Sequence, residues 1–169
     1  MRHYPGSLIH VILLCLMFRG ASGTVPQKVD TTKREELRLG YELILTRCRG
    51  SSCRTVSALK GEVRLLLEID DPSSMWGYEA VEEHVGKLEY QLRFWGWHAL
   101  RGQAYGKALR IGFAGRVLTP FKQLTWAEKS LTRKKWVAFP VMSVSGNTYS
   151  EDGEQITPTL RVTLLKVTR

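Results

Sequence analysis

Apolar and polar residues alternate with a period of two along much of this chain, the mark of half-buried β-strands rather than helices. The clearest run is Lys87–Phe94. Leu88, Tyr90, Leu92 and Phe94 fall on one face, and Lys87, Glu89, Gln91 and Arg93 on the other. Glu62–Asp70 repeats the pattern, with Val63, Leu65, Leu67 and Ile69 toward a core and Glu62, Arg64 and Glu68 toward water. Lys107–Phe113 turns Leu109, Ile111 and Phe113 inward. Shorter strands are predicted over Tyr41–Cys48, from Cys53 or Arg54 to about Ala58, and over Trp136–Val144, where Pro140 suggests an edge or a bulge. A long last strand covers Ile156–Thr168, with a bulge at Leu164-Leu165, where alternation breaks.

Two stretches read as helix. Ser73 or Ser74 can cap a short one reaching about His84. Phe121–Leu131 has Phe121, Leu124, Thr125, Glu128 and Leu131 at helical spacing, with Pro120 suited to a first turn. The fold class is then mainly β: an antiparallel β-sandwich or partly closed barrel of about seven strands with one or two short helices.

Residues 1–23 read as a secretory signal peptide. A short basic start (Arg2, His3) precedes the apolar stretch Leu8–Phe18, too short to span a bilayer, and Ala21-Ser22-Gly23 supplies small residues for cleavage. Residues 24–38 form a loose polar arm, and 39–169 a single domain. No second apolar run reaches membrane-spanning length, so no transmembrane segment is expected after cleavage. The predicted location is secreted or periplasmic.

Charge then narrows the partner. The chain carries 25 Lys and Arg against 16 Asp and Glu, a formal net charge of +9. In an exported protein this favours an envelope or extracellular protein, an acidic glycan or an anionic lipid surface over nucleic acid. Three surfaces are candidates. Cys48-Arg49-Gly50-Ser51-Ser52-Cys53 reads as a hairpin tip closed by a Cys48–Cys53 disulfide and made basic by Arg47, Arg49 and Arg54. Phe94-Trp95-Gly96-Trp97 puts Trp95 and Trp97 opposite Phe94, a platform for a sugar ring, a lipid interface or a protein, with Arg101 nearby. The alternative is that the 121–131 helix covers them. Arg133-Lys134-Lys135 is a basic tract beside Trp136.

Catalytic chemistry is sparse. The sequence holds no G-x-S-x-G, H-E-x-x-H, P-loop or Gly-rich dinucleotide motif, and no Cys/His set for zinc. No cofactor, metal or catalytic residue is predicted. The function predicted is a non-catalytic binding or assembly module. The alternative is a small secreted hydrolase using His98 or His84 with a carboxylate.

Overall fold

The computed structural model describes residues 34–101, 106–118, 120–136 and 141–169. The expected leader, the arm up to residue 33 and the stretch 137–140 with Pro140 lie outside the described residues. Nine strands follow in order: β1 (Glu35–Arg49), β2 (Ser52–Asp71), β3 (Ser74–Val85), β4 (Leu88–Ala99), β5 (Lys107–Leu118), β6 (Phe121–Arg133), β7 (Met142–Ser145), β8 (Tyr149–Glu151) and β9 (Glu154–Thr168).

β1 through β6 form an antiparallel meander, and β9 returns to the other edge of β1. β7 pairs with Thr159–Val162 of β9, and β8 pairs with Glu154–Ile156 of the same strand. β7 and β8 thus act as one interrupted strand, and the whole is a nearly closed, eight-stranded antiparallel barrel. Its seam lies between β6 and β7. Lys129 Nζ crosses it to donate to the Ser143 carbonyl at 3.2 Å.

The barrel is the second of the two predicted architectures; a two-sheet sandwich is not what forms. β1 is paired on both edges, so the sheet runs continuously through it. The sharpest corner is between β2 and β3, where pairing is limited to Glu68–Trp76, Ile69–Met75 and Asp71–Ser74. There Gly77 lies so close to β2 that a Cβ on it would sit 2.2 Å from the Leu66 carbonyl oxygen.

No helix occurs among the described residues, which corrects both helix assignments. The stretch after Ser73 is β3, paired with β4 over its whole length. Phe121–Leu131 is part of β6, with Thr125 and Ala127 inward and Trp126 and Glu128 outward. In both cases a neighbouring strand edge offers a full ladder of unpaired backbone groups. Satisfying that ladder outweighs a local helical spacing worth a few tenths of a kcal/mol per residue. A register shift between Gly115 and Arg116 leaves Leu124 out of the β5–β6 pairing, and that bulge is what obscures alternation in β6. The bulge predicted in the last strand is present: Leu165 falls between the Leu39–Leu164 and Arg38–Lys166 pairs. The two predicted strands 53–58 and 62–70 are one long β2, and β1 begins at Glu35, ahead of Leu39.

Parity decides the interior. Leu37, Leu39, Leu43, Leu65, Leu67, Tyr90, Leu92, Phe94, Leu109, Ile111 and Leu160 are fully buried and fill the axis as one core. The outer face carries cross-strand ion pairs: Arg38 with Glu62, Lys60 with Glu42, Arg110 with Glu128 and Arg116 with Glu89. Beside those pairs the outer face also exposes Trp76, Tyr78, Phe121 and Trp126.

Candidate binding site at the barrel mouth

The strand directions bring the start of β1, the end of β4, the start of β5 and the end of β9 to one end of the barrel. On these strands the inward parity continues past the core into polar residues. Glu35 precedes Leu37 and Leu39, Lys107 precedes Leu109 and Ile111, and His98 follows Phe94 and Gly96. The result is a carboxylate at the top of a hydrophobic core. Glu35 is only 2% exposed and Lys107 only 4%.

Five groups converge there. Lys107 Nζ donates to both Glu35 oxygens at 3.2 Å. Trp136 Nε1 donates to Oε2 at 2.8 Å, and Arg169 Nε donates to Oε1 at 3.2 Å. His98 Nδ1 lies 2.7 Å from Oε2. An ionised carboxylate only accepts, so the His98 proton sits on Nδ1 and donates to Glu35. Lys107 Nζ, 3.1 Å from the same nitrogen, is then a close neighbour of it and not its donor. The Lys107 ammonium also stands 5.1 Å from the Trp136 ring centroid, in cation–π range.

Electrostatics follow from this packing. Burial alone would raise the Glu35 carboxyl, but the Trp136 hydrogen bond, the Lys107 charge and, once acid protonates it, the His98 charge outweigh it and hold the carboxyl below its ordinary value. Burial lowers His98, with the Lys107 charge adding to it, against the pull of Glu35. Burial lowers Lys107 too, though Glu35 opposes it. The arrangement that satisfies all three is an ionised Glu35, a neutral His98 and a Lys107 held as the buried counter-ion.

Around this group opens a pocket of about 1260 Å³. Arg34, Lys107, Lys134, Lys135, Lys166 and Arg169 line it, with Glu35 as the lining carboxylate. Its apolar wall is Met75, Leu100, Trp136, Leu164, Leu165 and Val167. No group of three or more His, Cys, Asp or Glu suited to a metal occurs among the described residues.

The sequence-predicted sites are scattered over the barrel. Lys134 and Lys135 reach the mouth, and the exposed Arg133 ends β6 beside them, paired in register with Lys107. The exposed Arg101 follows Leu100 of the pocket wall. Cys48 and Cys53 are joined by a disulfide across the β1–β2 ladder, at the opposite end of β1 from Glu35. Arg47 and Arg54 there pair with Glu154 at 3.2 and 3.4 Å, and Arg49 donates to the Asp152 carbonyl at 3.4 Å. The tip's arginines are thus tied to the β8–β9 turn. In that turn Asp152 and Gly153, with φ of 49° and 77°, make the two-residue hairpin that the Asp-Gly dipeptide favours.

Trp95 and Trp97 lie on the outer face of β4, half-buried. No helix among the described residues covers them. Tyr78 packs on Trp95 with ring centroids 5.3 Å apart, Trp76 stacks on Tyr78 at 6.5 Å, and the Arg110 guanidinium stands 5.8 Å from the Trp95 ring. His84 is on the outer face of β3, 3.9 Å from Glu89. The residues missed by sequence reasoning are Glu35, Lys107, Trp136 and Arg169. Glu35 and Lys107 did carry a signal: each is a charge on the core parity of its strand, two residues from the first buried leucine.

No protein-family model matches the sequence, and no curated protein matches it. Among solved structures the chain is similar to the crystal structure of Ail, the attachment invasion locus protein of Yersinia pestis. Identity is 5%, the match covers 76% of this chain and 95% of that one, and the TM-score is 0.28. That score carries neither a shared site nor a shared activity to this chain.

Proposed function

We propose that this chain is an exported, non-catalytic binding module of the cell envelope or extracellular space, which holds an anionic partner at the mouth of a water-facing barrel. The observation that carries the reading is the charge at that mouth: six cationic side chains on the lining of one pocket, against the single carboxylate of Glu35. Glu35 is already matched by the buried Lys107, so the remaining positive charge faces outward. The ion pairs on the barrel's outer face support a surface in contact with water. Trp95 and the arginines of the disulfide tip are engaged by neighbouring residues, and those two surfaces take second place.

The test is retention on phosphatidylglycerol vesicles and on immobilised heparin. Binding should fall as salt rises through physiological strength, since exposed charges are screened over about 8–10 Å. Reversing Arg133, Lys134 and Lys135 to Glu should weaken it at least tenfold with an unchanged circular dichroism spectrum. Salt-insensitive retention, or retention untouched by the reversal, refutes the reading.

One observation favours a second reading. His98 donates from Nδ1 to a buried carboxylate at 2.7 Å, which leaves Nε2 as the basic nitrogen, an arrangement able to activate water. No Ser, Thr or Cys lines the pocket among the described residues, so a hydrolase here would need water as the nucleophile. Turnover of a carboxylate ester, abolished in His98→Gln, would support that reading over simple binding.

A further inference from the structure

We infer that the ligand of the mouth is a single-chain anionic amphiphile: a carboxylate or phosphate monoester head on an unbranched hydrocarbon chain. The inference rests on the anion-binding reading above and deepens it by naming the ligand's chemistry.

Three features of the pocket select that class. The first is the position of the charge. Lys134, Lys135 and Lys166 form no ion pair among the described residues, whereas Arg34 is engaged by Glu68 at 3.4 Å and Arg169 by Glu35 at 3.2 Å. Three lysine ammonium groups on one lining attract a compact anion from water but, as point charges, impose no planar geometry on it. A carboxylate and a phosphate therefore suit them equally.

The second is the wall. Leu100, Leu164 and Val167 line the same pocket half-buried, and Leu165 lines it exposed. A bare inorganic anion would leave this wall wet, and a long hydrophilic polyanion could not use it. A hydrocarbon chain attached to the anionic head uses both.

The third is the floor. Below Glu35 the barrel axis is filled by Leu37, Leu39, Leu65, Leu67 and Phe94, each fully buried. A chain cannot descend the axis. It lies across the mouth, between the end of β9 and the segment following β6, and its useful length is limited by that wall. Lys107 and Arg169 are already taken up by Glu35, while the rim lysines are not, so the head is held at the rim and the chain lies on the wall.

The experiment is calorimetric titration of the full secreted chain with butanoate, octanoate, dodecanoate, dodecyl phosphate, inorganic phosphate and the neutral dodecyl maltoside, each below its micellar concentration. Affinity should rise by up to about fourfold per methylene from butanoate upward and then level off as the wall is used up. Dodecyl phosphate should compete with dodecanoate, and dodecyl maltoside should bind at least tenfold more weakly than either. Lys134→Glu/Lys135→Glu should weaken dodecanoate at least tenfold, while Arg54→Glu, at the far end of the barrel, should leave it unchanged.

Butanoate or inorganic phosphate binding as tightly as dodecanoate would overturn the amphiphile while leaving the anion site intact. Equal binding of dodecyl maltoside would overturn both, since charge would then play no part. Retention on phosphatidylglycerol vesicles with no binding of the soluble amphiphiles would overturn the inference in favour of a membrane surface. Failure of every anion, vesicles and heparin included, would remove the anion-binding reading itself.

Discussion

Glu35 and Lys107, 72 residues apart in sequence, are joined at 3.2 Å through both carboxylate oxygens, and both are more than nine-tenths buried. The pair ties the start of β1 to the start of β5 across the end of the barrel. Trp136 and Arg169 add the segment after β6 and the end of β9 to the same carboxylate. With His98 at the end of β4, one acidic side chain therefore gathers five separate parts of the fold.

Removing one partner of a buried pair leaves an uncompensated charge, which costs about 3–5 kcal/mol. Glu35→Gln and Lys107→Met should each lower the urea midpoint accordingly. The double variant should cost much less than the two single costs added, because neither charge is then left alone. A double-mutant cycle by urea denaturation checks this, and additive losses would show that the pair is not coupled.

The pH dependence has a defined sign. His98 has its folded value below the ordinary one of 6.5, so the unfolded chain takes up a proton first as pH falls. Stability from His98 is complete above about pH 6.5 and declines as pH falls below it. Glu35, also lowered, adds a second decline as pH falls below the ordinary carboxyl value of 4.5. Thermal denaturation from pH 8 down to about pH 3 should show both phases, and His98→Gln should remove only the upper one. Constant stability from pH 7 to pH 5 would contradict this.

At the other end of the barrel, Tyr90 and Tyr149 share a buried hydrogen bond of 2.9 Å between their hydroxyls. Burial pushes the Tyr90 phenol well above its ordinary value and raises that of Tyr149. Ultraviolet titration should find these two tyrosines un-ionised past pH 10 for as long as the barrel stays folded. Tyr149→Phe, which deprives the buried Tyr90 hydroxyl of its partner, should cost about 1–3 kcal/mol.

Gly77→Ala tests the corner between β2 and β3. The added methyl would meet the Leu66 carbonyl oxygen at 2.2 Å, a backbone atom with no rotamer to move aside. Loss of about 3 kcal/mol is expected from overpacking alone. Cys48→Ser/Cys53→Ser is the contrast: the bridge closes a very short loop at an exposed tip and should contribute only about 2 kcal/mol. Equilibrium denaturation of both variants in urea measures the difference.

Much of this molecule is written in strand parity. The alternation of Leu88, Tyr90, Leu92 and Phe94 against Glu89, Gln91 and Arg93 determines which face is core, because a one-residue slip would bury the charges. The same local rule made the Cys48–Cys53 bridge legible, since the two cysteines face each other across one hairpin. Local rules failed for Phe121–Leu131, where an unpaired β5 edge recruits a strand from a sequence spaced for a helix. They also failed for the mouth. Glu35, His98, Lys107, Trp136 and Arg169 come from three strands, the segment after β6 and the residue after β9, and no spacing along the chain relates them. Pairing β9 with β1, and β1 through the meander to β5, is what brings them together. That closure is a long-range choice, made by the burial of one shared core and by the backbone hydrogen bonds of every strand edge.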